Sequence, residues 1–119
     1  MASVALLGFP HDLACQLALA LAAGSHVVHH RQDTRGLRHD AASVVFICGD
    51  GPAFREILSA VKKRDPGMPV VVATRMPDSK QWLDALEAGA SDYCGAPFEA
   101  VQLRWIMDSV LGAHARHAA

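Results

Sequence analysis

Short apolar runs alternate along the chain with stretches of helical periodicity. Val4-Ala5-Leu6-Leu7 is the first run, and it breaks at Gly8. Phe9-Pro10-His11-Asp12 reads as a loop, with Asp12 a candidate helix N-cap. From Leu13 to Ala23, leucines stand among alanines, which favour helix. Gly24 then reads as the C′ glycine that stops it. His26-Val27-Val28-His29 is a weak second strand, and the polar segment from Arg31 to Asp40 reads as a short helix or a loop. Ser43 to Cys48 is a strongly β-prone run, broken at Gly49-Asp50-Gly51-Pro52, a turn by composition. Phe54, Ile57, Leu58 and Val61 form a helical stripe that ends near Arg64. Val70-Val71-Val72-Ala73 has the unbroken apolarity of a strand covered on both faces. A helix from Ser79 to Ala88 is closed by Gly89, and Asp92-Tyr93-Cys94 is a short strand. The last helix runs from about Glu99 to Leu111, leaving 113–119 as a frayed tail or the start of a linker.

Five strand–helix units in series predict a parallel sheet with helices on both faces. The expected fold is a flavodoxin-like α/β (βα)5 domain over residues 1–112, strand order 2-1-3-4-5. Its 119 residues are room for one core. Hydrophobic residues at 51% against 19% charged exclude a disordered chain. No apolar stretch is long enough to span a membrane, and the first residues lack the basic start of a signal peptide. Three cysteines without a CxxC pair argue against a disulfide scaffold and for a reducing, cytoplasmic setting. A net charge of -1 provides no electrostatic footprint for nucleic acid.

The second half carries a recognisable frame. Met68 to Thr74 is followed by Ala85-Leu86-Glu87-Ala88-Gly89-Ala90-Ser91-Asp92-Tyr93, and then by Pro97-Phe98. This resembles the receiver domain of two-component response regulators: a fourth strand ending in Thr, a helix ending in Ala-Gly-Ala, and a fifth strand leading to Lys-Pro-Phe. The resemblance implies a phosphorylation pocket, and the departures fall inside it. The family's acidic pair, which holds Mg²⁺, falls at Gly8 and Phe9. The phosphoacceptor Asp falls at Cys48 or, with another gap choice, Phe46. The conserved Lys of the family is Ala96, and the Ala96–Pro97 bond is expected to be cis. Thr74, the phosphate-contacting hydroxyl, and Tyr93, the switch aromatic, remain. Aspartyl phosphorylation needs a carboxylate nucleophile, a cation held by hard oxygens and a fixed positive charge. The resemblance therefore implies an atypical, degenerate receiver, not an enzyme, with no cofactor and no metal.

Asp50 is the acid nearest the pocket mouth, and it reads either as a displaced phosphoacceptor or as a turn residue. Cys48 and Cys94 lie toward the C-terminal ends of central strands, as a redox pair or as small buried hydrophobes. Among seven histidines, His26 and His30 share a strand face about 13 Å apart, too far for one metal ion. Gly49-Asp50-Gly51 opens like a nucleotide loop, but Pro52 and Phe54 break the pattern, and the loop after the first strand lacks hydroxyls for a flavin phosphate.

Aromatic placement points to function. Leu103, Ile106, Met107 and Val110 follow the i, i+3, i+4, i+7 core stripe, while Val101 and Trp105 share another face. In the preceding helix Leu83 and Leu86 are assigned to the core, leaving Trp82 to one side. Trp82, Val101 and Trp105 then make an apolar patch around the fifth strand, the usual output face of receivers. The expected function is phosphorylation-independent signalling by contact with a protein partner or a second copy. Two alternatives stand beside it: a phospho-accepting regulator using Asp50, and an N-terminal localisation module of a larger protein such as a MinD-like ATPase of pilus assembly.

Overall fold

The computed structural model describes residues 2–32, 42–50 and 54–118. The strands are β1 (Ser3–Leu7), β2 (Val27–Arg31), β3 (Val44–Cys48), β4 (Val70–Thr74) and β5 (Asp92–Gly95). The helices are α1 (His11–Ala22), α2 (Phe54–Arg64), α3 (Ser79–Glu87) and α4 (Ala100–Ala118). All strand pairs are parallel, in the order β2-β1-β3-β4-β5. This is the flavodoxin-like order expected from the strand–helix alternation. Residues 33–41, where a helix or loop was expected after the second strand, lie outside the described residues.

The two periodicities divide the core in two. Val4, Leu6, Val44, Phe46, Val71 and Ala73 point to one face of the sheet and pack with Leu13, Leu17 and Leu21 of α1 and Leu103 and Met107 of α4. Ala5, Leu7, Val45, Ile47, Val70 and Val72 point to the other, against Phe54, Leu58 and Val61 of α2 and Ala85 of α3. Every residue of β3 and β4 is buried, so both strands need apolar side chains at each position. β2 lies at the sheet edge and is only partly covered, consistent with its His29-His30-Arg31 sequence. Each fully buried Leu or Met contributes about 1.5–3 kcal/mol by leaving water.

Several local expectations are corrected. The N-cap of α1 is Pro10, with no side-chain cap; Asp12 sits inside the first turn, where its carboxylate complements the helix dipole. After α1 the left-handed residue is Ser25, at φ 64°, not Gly24. The turn takes the hydrogen bonds Gly24 N–H to Leu21 O and Ser25 N–H to Ala22 O, at 3.0 and 2.9 Å. Gly89 does adopt the left-handed conformation, at φ 107°, after the Ala88 cap of α3. The expected tail is helical: α4 continues to Ala118 through a run of alanine, arginine and histidine with no proline. Leu83 and Leu86 are not core residues, being 53% and 38% exposed. Only Ala85 of α3 is buried, because this short helix lies close on the sheet through a methyl group.

Candidate functional site

In an order 2-1-3, the chain leaves β1 and β3 toward opposite sides, and the crevice at their C-terminal ends is the natural binding place of such a fold. Gly8, Cys48 and Thr74 stand at those ends, with Asp50 two residues past β3.

Gly8 has φ 75°, a conformation that favours glycine, and its N–H donates to the Arg31 carbonyl at 3.0 Å. Phe9 turns inward and is buried with α1 and α4. Cys48 and Cys94 are both buried free thiols; burial pushes the Cys48 thiol up and the Cys94 thiol to about 12. Ala96 is partly buried against the α1–α4 side of the core, and the Ala96–Pro97 bond is cis, as expected.

Thr74 is 1% exposed, the buried polar side chain of this region. Its hydroxyl donates to Asp50 Oδ1 and accepts the Met76 N–H at 3.2 Å. The Arg75 N–H reaches both Asp50 oxygens, at 2.9 and 3.1 Å. The Arg75 guanidinium turns to α1 and forms a two-pronged pair with Asp12, at 2.8 and 3.2 Å. That bond holds the Asp12 carboxyl below its ordinary range and the guanidinium above its own. Arg75 was not among the residues expected here, nor was the pairing role of Asp12. The pair joins positions 63 residues apart, so no local spacing announces it.

A second chain of bonds leads away from the same place. Gln81 Nε2 donates to the Gly49 carbonyl at 2.6 Å, and the Tyr93 hydroxyl donates to Gln81 Oε1 at 2.5 Å. The Asp78 N–H donates to the Tyr93 hydroxyl at 3.3 Å, while the Asp78 side chain caps α3 through the Gln81 N–H at 2.9 Å. Burial raises the Tyr93 phenol. Gly49 is glycine for a steric reason: a Cβ would sit 2.9 Å from Val72 Cγ1 and 3.3 Å from Gln81 Oε1.

Beyond Tyr93, large apolar side chains reach the surface. Trp82 is 46% exposed and lines, with Pro77, Asp78, Ser79, Asp92 and Tyr93, a shallow concavity of about 490 Å³. Asp84, on another flank of α3, pairs with Arg55 of α2 at 3.2 Å. On α4, Val101 is 64% and Trp105 73% exposed, opposite the buried stripe Leu103, Ile106, Met107 and Val110. Arg104 and Asp108 line, with Val101 and the end of α1, a separate concavity of about 520 Å³.

Gly8 and Phe9 offer no carboxylate, Asp12 is bound to a guanidinium, and Asp50 accepts a hydroxyl and an amide. Among the described residues, no three His, Cys, Asp or Glu side chains converge as metal ligands, and no helix is long and apolar enough to cross a membrane.

The sequence matches no protein-family model and no curated protein. Solved structures do resemble the fold. NtrX from Brucella abortus, in complex with ADP, superposes with a TM-score of 0.89 at 21% identity over 98% of this chain. This chain spans 28% of the length of that NtrX chain. A CheY-like response regulator receiver domain protein from Methanospirillum hungatei superposes at 0.82, with 15% identity and 98% of each chain covered. A response regulator receiver domain protein from Clostridium thermocellum superposes at 0.79, with 21% identity over 95% of this chain and 96% of that one. The chain therefore has the receiver fold.

Proposed function

We propose that this chain is a receiver-like signalling domain that works by protein contact instead of phosphoryl transfer, through the face formed by α3, β5 and α4. The observation that carries this reading is the exposure of Trp82, Val101 and Trp105 on the two helices that flank the edge strand. Tryptophan is the side chain most often found as an interface anchor. The occupant argued for is a second copy. A closed dimer places the same patch on both chains, and Arg104 and Asp108 of one α4 then offer opposite charges to those of its mate.

The pocket supports the reading from the other side. Gly8, Phe9 and Ala96 provide neither cation ligands nor a lysine. Asp50, the carboxylate available as nucleophile, is engaged as an acceptor by Thr74 and Arg75.

Sedimentation at two concentrations tests the proposal. Wild type is expected to self-associate, and Trp105→Ala to remain folded and lose association. Ile106→Ala, 7% exposed, is expected to lower stability instead. A wild-type monomer at high concentration overturns the dimer. A stoichiometric adduct on Asp50 after acetyl phosphate with Mg²⁺, seen by intact mass, overturns the phosphorylation-independent reading.

A further inference from the structure

Asp50 gathers donors that an oxyanion would otherwise take. The Thr74 hydroxyl comes from inside the fold, and its oxygen is already occupied by the Met76 N–H, so its proton is directed at the carboxylate. The Arg75 N–H is shared between both carboxylate oxygens. The Arg75 guanidinium adds positive charge nearby while Asp12 restrains it. A hydroxyl and a backbone amide converging on one carboxylate, with a guanidinium close by, are donor types that hold phosphate or sulfate in proteins.

The same segment reaches the apolar face. The Gly49 carbonyl belongs to the rigid peptide plane that also carries the Asp50 nitrogen. That carbonyl accepts Gln81 Nε2, and Gln81 accepts the Tyr93 hydroxyl. The Gly49 N–H is fixed to the Ala73 carbonyl at 2.9 Å, which anchors the other side of the residue to β4. Thr74 and Arg75 hold Asp50 on one side of the Gly49–Asp50 peptide and Gln81 holds the Gly49 carbonyl on the other, so a tilt of that plane displaces the acceptor on which Gln81 and Tyr93 depend.

We infer that Asp50 is the resident anion of an oxyanion cradle built by Thr74 and Arg75, and that its seating there positions Tyr93 through Gln81. The inference rests on the reading that this pocket transfers no phosphoryl group. In it the domain carries its own substitute for a bound anion, and the face beside Tyr93 stays in one state without an external signal.

The test uses the full chain and inorganic sulfate as probe, with chloride at equal ionic strength as control. Asp50→Ala empties the cradle. Sulfate is expected to raise the melting temperature of this variant and not that of wild type. Adding Thr74→Val to Asp50→Ala is expected to abolish the gain. Tyr93 is the only tyrosine of the chain, so its ring resonances report its position directly. They are expected to shift in Asp50→Ala and to return toward wild type with sulfate. Should Asp50→Ala fail to fold, Thr74→Val alone removes the donor at nearly equal volume and must also shift the Tyr93 ring. An Asp50→Ala variant indifferent to sulfate, or a Tyr93 ring unmoved by Asp50→Ala or by Thr74→Val, overturns the inference. These outcomes are separate from a phospho-adduct on wild-type Asp50, which would overturn the reading beneath it.

Discussion

Replacing Gln81 by Met and Tyr93 by Phe, singly and together, measures the bond on which communication between the pocket and the apolar face depends. Gln81→Met keeps an unbranched chain of similar length and removes both polar ends. It breaks the bonds to the Gly49 carbonyl and the Tyr93 hydroxyl, at 2.6 and 2.5 Å. A net contribution of about 0.5–1.5 kcal/mol per hydrogen bond predicts a loss of about 1–3 kcal/mol. Tyr93→Phe breaks the bond to Gln81 and the weaker one from the Asp78 N–H at 3.3 Å, a loss of about 1–2 kcal/mol. Both side chains are only half-buried, so water recovers part of each loss and the lower ends of these ranges apply. The single bond common to both variants is Tyr93 to Gln81. The double variant should therefore be less destabilised than the sum of the singles by about 0.5–1 kcal/mol. Urea unfolding of the four proteins provides the cycle, with equal slopes required for the comparison. Losses that simply add, within about 0.3 kcal/mol, would show that the two side chains do not interact in solution, and the path from Gly49 to Tyr93 would fail with them.

Two further outcomes follow from the charges and thiols. At pH 8 a small maleimide is expected to modify exposed Cys15 and to leave Cys48 and Cys94 untouched in the native protein, because burial pushes the latter thiol to about 12; mass counting before and after unfolding checks this. The depressed Asp12 carboxyl contributes stability above its unfolded value near 3.8, and that contribution is lost as pH falls through the lower folded value. Asp12→Asn should therefore lower the melting temperature above about pH 4 and converge on wild type as pH falls below it, flattening the acid limb; a wild-type acid limb in the variant would refute the pairing with Arg75.

The strands were legible because burial on two faces leaves a sequence signature that nothing else competes with. Val44–Cys48 and Val70–Thr74 are apolar at nearly every position, and their order follows from the helices between them. The stripe of α4 was legible for the same reason: Leu103, Ile106, Met107 and Val110 keep the helical period over two turns of one covered face. Helix α3 offers only nine residues, and its contact with the sheet is made by Ala85. Residue size then misleads, since the large Leu83 and Leu86 look like core and the methyl group that is core looks like filler. The functional region was legible only in part. Thr74 and Tyr93 stand out through resemblance, because that frame names their positions. Arg75, Asp12 and Gln81 do not, because their roles exist only once β4, α1 and the end of β3 have been brought together by the sheet.

Read along the chain, Ala96 is a lost positive charge and Asp50 a turn residue. In the fold, a guanidinium stands near Asp50 from the end of β4, and the carboxylate is seated on a buried hydroxyl. Asp12 and Asp50, the carboxylates at the pocket mouth, each have donors within the fold. A network satisfied in this way favours one arrangement over the alternatives, which is what the proposed contact function requires if Trp82 and Trp105 are to be presented in one fixed geometry.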